Sequence, residues 1–174
     1  PSFFIVGRRI DQLNRISNDL MVRGATSTQA YCLDIADIAS HQTMLETALE
    51  SIGDIDLVLI SHGSLPTQKQ CETNNDEMLA ELHINGIATV ALISTLSQYF
   101  ATKKQGTLAV ISSVAGDRGR ASNYVYGSAK ALVSTYLSGL RQRLTGTGVN
   151  IIDIKPGFVD TPMTQNFKKG FLFF

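Results

Sequence analysis

Two apolar rhythms alternate along this chain. Short, nearly continuous runs, "FFIV" (3–6), "TQAYCL" (28–33), "IDLVLI" (55–60), "GTLAVISS" (106–113) and "VNIIDI" (149–154), read as strands. Between them the apolar residues recur at helical spacing. Ile10, Leu13, Ile16, Leu20 and Val22 lie in "GRRIDQLNRISNDLMVRG", and Met44, Leu45, Ala48, Leu49 and Ile52 follow a start near Ser40. Gly24 and Gly53 stop these two helices. A long helical stretch is predicted over residues 74–102, and another helix carries Tyr126. "IDLVLI" is apolar throughout, as expected of a strand covered on both faces. The alternation predicts an α/β fold, a doubly wound parallel sheet with right-handed crossovers. No repeat, low-complexity tract or linker interrupts residues 1–174, which read as one domain.

Composition narrows the function classes. The 174 residues are 44% hydrophobic, and 15 basic side chains balance 15 acidic ones. No basic surplus therefore suggests nucleic acid or an anionic membrane as a partner. The longest apolar runs are strand-sized, and no signal peptide is visible. Cys32 and Cys71 are far apart and read as free thiols of a reducing, cytoplasmic protein. His41, His62 and His83 form no ligand pattern, so no metal is expected.

In parallel sheets of this kind ligands bind beyond the carboxyl ends of the strands. The residues there are Gly7-Arg8-Arg9, Asp34-Ile35, Ser61-His62-Gly63, Ser112-Ser113 and Pro156-Gly157. Ordinary turns use the same residue types, so each cluster alone says little. Five on one edge say more. One pair stands out elsewhere: Tyr126 and Lys130, four apart, share one face of a helix, whereas Tyr124 has only Ser128 at that offset.

These residues together resemble the short-chain dehydrogenase/reductase family, from the second strand of its fold to just after the sixth. The most specific stretch is "VISSVAGDRGRASNYVYGSAK", where the family's serine and YxxxK pair fall on Ser113, Tyr126 and Lys130. Its helix asparagine falls on Asn85 in "LHINGIATV". "KPGFVDTPM", with Pro156, Gly157, Val159 and Thr161, looks like the segment lying against the nicotinamide, and "LDIAD", with Asp34 and Ile35, like the adenine turn. "SHG" (Ser61, His62, Gly63) stands where the family usually has NAG. The implied activity is hydride transfer between a ketone and a secondary alcohol.

The chemistry accounts for those residue types. Ketone reduction needs a proton at oxygen, and an ordinary phenol, with a pKa of about 10, exchanges one poorly at neutral pH. A cation nearby favours the phenolate, so Lys130 is expected to lower the Tyr126 pKa. Lys130 would also bind the nicotinamide ribose. Ser113 would hydrogen-bond the carbonyl oxygen. By resemblance, Asn85 holds a water that relays protons to Lys130.

Cofactor choice follows from the end of the first strand here. NAD-binding folds usually place a carboxylate after the corresponding strand. This chain has Arg8 and Arg9, with no acid before Asp11, and guanidinium suits a 2′-phosphate. NADPH is therefore expected in preference to NAD. "AGDRGRASNYVYGSAK" with "KPGFVDTPMT" looks most like reductases of keto-sugars carried on polyprenyl phosphate, which would bring the protein to a membrane only through its substrate. Arg118 and Arg120 would stand at the pocket rim, where either a phosphate or solvent would meet them. The segment after Pro162 corresponds to the family's substrate cover.

The family's first strand, its glycine-rich TGxxxGxG turn and its seventh strand have no counterpart in these residues. The domain is accordingly expected to be incomplete at both ends, with an upstream strand and glycine turn. "FFIV" and "IDLVLI" would flank that strand, about 9–10 Å apart and without direct pairing. An alternative is a catalytically impaired fragment kept as an interaction module, and a second is a sugar-nucleotide epimerase or dehydratase, which shares YxxxK. Ala129, Ala131, Leu132, Leu137 and Leu140 spread around more than one face of the Tyr126 helix. With the 74–102 stretch this implies, by resemblance, a homodimer or homotetramer.

Overall fold

The computed structural model describes residues 1–161, which divide into two compact units, Pro1–Asp56 and the part that follows from Leu57. In the first unit, strands β1 (Ser2–Gly7) and β2 (Ser27–Cys32) pair in parallel, Ser2 opposite Ser27 and Gly7 opposite Cys32. Helix α1 (Ile10–Val22) joins them, with Asp11 in its first turn, where a carboxylate favours the helix dipole. It turns Leu13 inward onto Gly7, while the Ser17 hydroxyl bonds that of Thr28 on β2. Helix α2 (His41–Ile52) buries Met44, Leu45 and Ala48, the apolar stripe visible in the sequence.

The second unit is built on three parallel strands, β3 (Leu57–Ile60), β4 (Gly106–Ile111) and β5 (Val149–Ile154), in that order. Leu57 lies opposite Thr107, and Gly106 opposite Val149. Residues 3–6 therefore ladder with β2, and 57–60 with β4. Side chains alternate across the sheet. Ile60, Leu108, Val110 and Ile151 are buried, as are Leu92, Ile93, Leu96 and Phe100 of helix α5 (Ala88–Lys103) and Val133, Leu137 and Leu140 of helix α6 (Tyr124–Arg143). These two helices lie against β4 and β5. Leu57 and Leu59 are more than half exposed. Ile60 of the same run is buried, and the strand starts at Leu57 rather than residue 55.

Two helices precede α5. Helix α3 (Gln68–Thr73) is unannounced in the sequence, since "QKQCET" has no apolar stripe and buries only Gln68 and Cys71. Helix α4 (Asn75–Leu82) is capped by Asn74, whose Oδ1 accepts from the backbone N–H groups of Asp76 (3.0 Å) and Glu77 (3.3 Å). It runs on through a π turn (His83–Ile87) into α5, so the long stretch expected over 74–102 carries one widened turn. Residues 75–103 are long and apolar enough to cross a membrane, but the side chains α5 buries mark it as a core helix.

Candidate active site

Three of the four expected catalytic residues meet where β4 ends against α6. Beyond Ile111, Ser112 keeps to the sheet, its N–H donating to Ile154 O at 2.8 Å. Ser113 then opens a short helical turn (Val114–Gly116), its Oγ accepting from Ala115 N–H at 3.1 Å. That leaves the Ser113 hydroxyl proton to donate. On α6, Tyr126 is half-buried and Lys130 is 3% exposed, with Nζ 5.6 Å from the Tyr126 ring centre. Lys130 Nζ donates to Ile111 O at 3.1 Å, which ties the helix to the strand end. Tyr124, 43% exposed, stands at the start of α6, away from this pair's face.

Two glycines allow the serine turn to lie this close to the helix. A Cβ on Gly116 would stand 2.7 Å from Ala131 N, and one on Gly127 2.7 Å from Ala115 O. Both would strike backbone. The first turn of α6 is also held by Gln68, a buried side chain whose Oε1 accepts from Val125 N–H at 3.1 Å.

The fourth residue, Asn85, lies in the π turn and is fully buried. π turns inside helices are frequent at functional sites. Its Oδ1 accepts from Ser64 N–H at 3.0 Å, just past the Ser61-His62-Gly63 strand end. His62, where the family has alanine, reaches Thr89 Oγ1 at 2.9 Å, so a second side chain ties this loop to the same helix. A Cβ on Gly63 would lie 3.0 Å from Asn85 Oδ1 and 3.7 Å from Lys130 Nζ. Both polar atoms therefore look onto that bare glycine.

Val114 N–H donates to Pro156 O at 3.4 Å, which lays the Pro156-Gly157 segment along the serine turn. Lys155 reinforces it with an ion pair to Asp117 at 2.6 Å. Val159 and Thr161 fall at the end of the described residues; the stretch after Pro162 lies outside them. Arg120 is spent on its own loop, donating to Val114 O (3.3 Å) and Arg118 O (3.4 Å), whereas Arg118 is exposed.

Comparison with known proteins decides the family. The model of the short chain dehydrogenases matches residues 2–170. This chain belongs to the short-chain dehydrogenase family. An uncharacterized oxidoreductase of Mycobacterium tuberculosis is 36% identical over 161 residues, which are 92% of this chain but 65% of the relative. The chain thus spans just under two thirds of that relative's length. Among solved structures, an actinorhodin polyketide ketoreductase with NADPH shares the fold at a TM-score of 0.85 and 18% identity, covering 96% of this chain and 67% of the other. An NAD+-bound xylitol dehydrogenase gives 0.84 and 17%, covering 92% and 62%. The Rossmann-like α/β architecture expected from the sequence is therefore the fold of this short-chain dehydrogenase.

Electrostatics corrects one expectation. The Tyr126 phenol is pushed up, not down: burial raises it and a hydrogen bond from Ser113 acts against that, while Lys130 exerts no resolved pull. The ammonium, 5.6 Å from the ring centre, donates to Ile111 O, and burial is the larger influence on the neutral phenol. Lys130 itself is pulled below the ordinary lysine value of 10.5 by burial, and Asp153 opposes this. Asp153 lies opposite Val110 on the helix-facing side of the sheet, accepting from the Ser112 hydroxyl.

The residues expected to hold a nicotinamide dinucleotide divide between the two units. Gly63 is bare beside Lys130, and a Cβ on Gly157 would meet nothing within 4 Å. In the first unit Arg8 and Arg9 are exposed where β1 gives way to α1, and Asp34 makes the turn after β2, accepting from Ala36 N–H at 3.0 Å. Ile35 O in that turn meets Nε2 of His41, a buried residue at 2.8 Å. Ser61 is exposed at the end of β3. Sequence reasoning missed Gln68, Glu81, Asp153 and the glycines at 116 and 127. Of these only Glu81 carried a signal, standing one helical turn before Asn85.

Proposed function

We propose that this chain is the catalytic core of an NADPH-dependent reductase that interconverts a ketone and a secondary alcohol. The observation that carries the reading is the approach of Ser113 and Tyr126, hydrogen-bonded at the phenol, with buried Lys130 one turn further along the same helix. When bound, the nicotinamide supplies the hydride. Tyr126, held protonated by burial, gives its proton to the carbonyl oxygen as charge develops there. Ser113 donates its hydroxyl proton in a hydrogen bond to that same oxygen, where a fixed donor does most for the rate. Lys130 would hold a positive charge beside the phenolate left behind, and Asn85, by the family resemblance, would hold the water through which Lys130 exchanges protons; Asn85 Oδ1 and Lys130 Nζ both lie near Gly63.

Gly63, Pro156, Gly157, Val159 and Thr161 would hold the nicotinamide end, Asp34 and Ile35 the adenine, and Arg8 with Arg9 the 2′-phosphate. The substrate class we favour is a keto-sugar, free or carried on a polyprenyl phosphate, on the motif resemblance of residues 115–130 and 155–164. With Arg120 folded onto its own loop, Arg118 is the rim residue left to meet a phosphate. Leu79, Ile87 and Leu132 are exposed on α4, the π turn and α6, and would be covered in a homodimer or homotetramer.

The test is a panel of ketones, keto-sugars included, with NADPH oxidation followed optically using the full-length protein. Turnover of a ketone supports the reading. NADPH fluorescence unchanged on mixing, with no turnover, would leave the interaction-module alternative standing instead.

A further inference from the structure

Asn85 is held in a closed ring of hydrogen bonds that decides which end of its amide faces Lys130. Its Nδ2 donates to Glu81 Oε2 at 3.0 Å, Glu81 O at 3.2 Å and Ser64 Oγ at 3.0 Å. Ser64 Oγ donates to the same Glu81 oxygen, and Ser64 N–H donates to Asn85 Oδ1. Rotating the amide by a half-turn would set Nδ2 against the Ser64 N–H, donor to donor. It would also set Oδ1 against a carboxylate and a carbonyl, neither of which can donate. With Asn85 fully buried, those clashes would have no solvent to relieve them.

The consequence reaches the proposed active site. The fixed amide turns its oxygen toward the bare flank of Gly63, the flank that Lys130 Nζ also faces. A protonated lysine presents only donors there and needs an acceptor. The negative charge that raises Lys130 is that of Asp153, on another element from Glu81. The influence of Glu81 runs through the amide.

We propose that Glu81, together with Ser64, is a positioning residue of the reaction: its carboxylate reinforces the orientation that turns the Asn85 amide oxygen to the Gly63 flank shared with Lys130 and so sets proton exchange at that lysine. This rests on the reductase reading above. The Ser64 N–H and the Glu81 carbonyl reject the flipped amide in any variant at position 81; the carboxylate adds the one acceptor-only group that a substitution can remove, and with it the partner that holds both Asn85 Nδ2 and the Ser64 hydroxyl. Neutral replacements at position 81 weaken that hold even where they fill the same space.

The experiment compares Glu81→Ala, Glu81→Gln and Ser64→Ala in full-length protein, with two readouts. The first is the Asn85 side-chain NH2 signals in 15N-labelled protein, assigned by their loss in Asn85→Asp. In wild type these protons should exchange slowly with solvent, and in Glu81→Ala at least about tenfold faster, since a protecting partner is gone. The second is kinetics: kcat should fall about tenfold or more with KM for NADPH within about twofold, the sign of an interaction needed in the reacting complex. Glu81→Gln should fall between, because its amide can accept or donate. Unchanged Asn85 signals in Glu81→Ala, or changed signals with wild-type kcat, would overturn the proposal. If Glu81→Ala does not fold, Glu81→Gln decides by the same criteria, with wild-type exchange and kcat sinking the idea. Wild-type inactivity toward every ketone would instead be a failure of the reductase reading, and the NH2 signals would still report on the lock.

Discussion

Lys130 Nζ lies 5.6 Å from the ring centre of Tyr126 and donates to Ile111 O rather than to the phenol. Spacing puts both side chains on one helix face, but the strand end decides where the ammonium goes. Tyr126 is then governed by burial and held as the neutral acid, the form that ketone reduction consumes. Tyr126→Phe removes that proton and almost no volume. Turnover should fall at least about a hundredfold, the scale of general acid catalysis, with NADPH binding retained. Tyr124→Phe, at an exposed position, should cost much less, and equal losses in the two would transfer the role away from Tyr126.

The serine turn is positioned by close approach, which makes Gly116 and Gly127 sensitive. Alanine at either site would set Cβ 2.7 Å from backbone, so the turn or the helix has to shift. Over-packing of this kind costs about 1–3 kcal/mol. Gly127→Ala should lower the denaturation midpoint and reduce kcat, because Ser113 and Tyr126 move apart. A variant of wild-type stability and activity would show that the turn has slack.

How far the sequence foretells this site depends on what each residue's signal is. Strand and helix periodicity comes from burial, and it places β1, β2, β4, β5, α1 and α2 within a few residues. Ser113, Tyr126, Lys130 and Asn85 were visible because their motif spacings are fixed by the fold. Approaches so close that an added Cβ would fall under 3 Å from another element's backbone leave no such mark. Asp153 reads as one more polar residue in "NIIDI", and only the β4–β5 register brings it to the helix-facing side with Ser112. Gln68 sits on a helix without an apolar stripe and acts across 57 residues of sequence. Direction was illegible too: the four-residue spacing of Tyr126 and Lys130 cannot say that the ammonium turns toward Ile111.

Cofactor choice can be tested on β1's last turn. Arg8 and Arg9 are exposed, with no carboxylate between Gly7 and Asp11. Arg8→Asp replaces a guanidinium suited to a 2′-phosphate with a carboxylate suited to a 2′-hydroxyl. Kd for NADPH should rise about tenfold or more while that for NADH holds or falls. Wild-type protein using the two cofactors equally well would remove the basis for assigning these arginines to a phosphate.

Asp153 should show in the pH dependence, and the sign can be worked through. Burial pulls Lys130 below 10.5 and Asp153 pulls it back up, so Asp153→Asn must lower it further. Lys130 then sheds its proton at a lower pH, and a neutral lysine gives the phenolate no support. In alcohol oxidation, where Tyr126 has to be the phenolate, the rising limb of kcat/KM should therefore move to higher pH. Each unit of displacement means about a tenfold loss at a fixed pH on that limb. Stability supplies an independent reading. Between the lowered Lys130 value and 10.5 the unfolded chain binds more protons than the folded one, so stability rises with pH across that window. Asp153→Asn should extend the window downward, and Lys130→Met should abolish it. Tyr126 has the opposite sign, being raised, and lowers stability only above about pH 10. The buried Cys71 thiol, raised above its ordinary 9.0, also lowers stability as pH rises there, so the lysine is read, in denaturation measured below about pH 10, from the difference in slope between wild type and each substitution. A slope there that neither substitution alters would mean that Asp153 serves Lys155 and Ser112 alone.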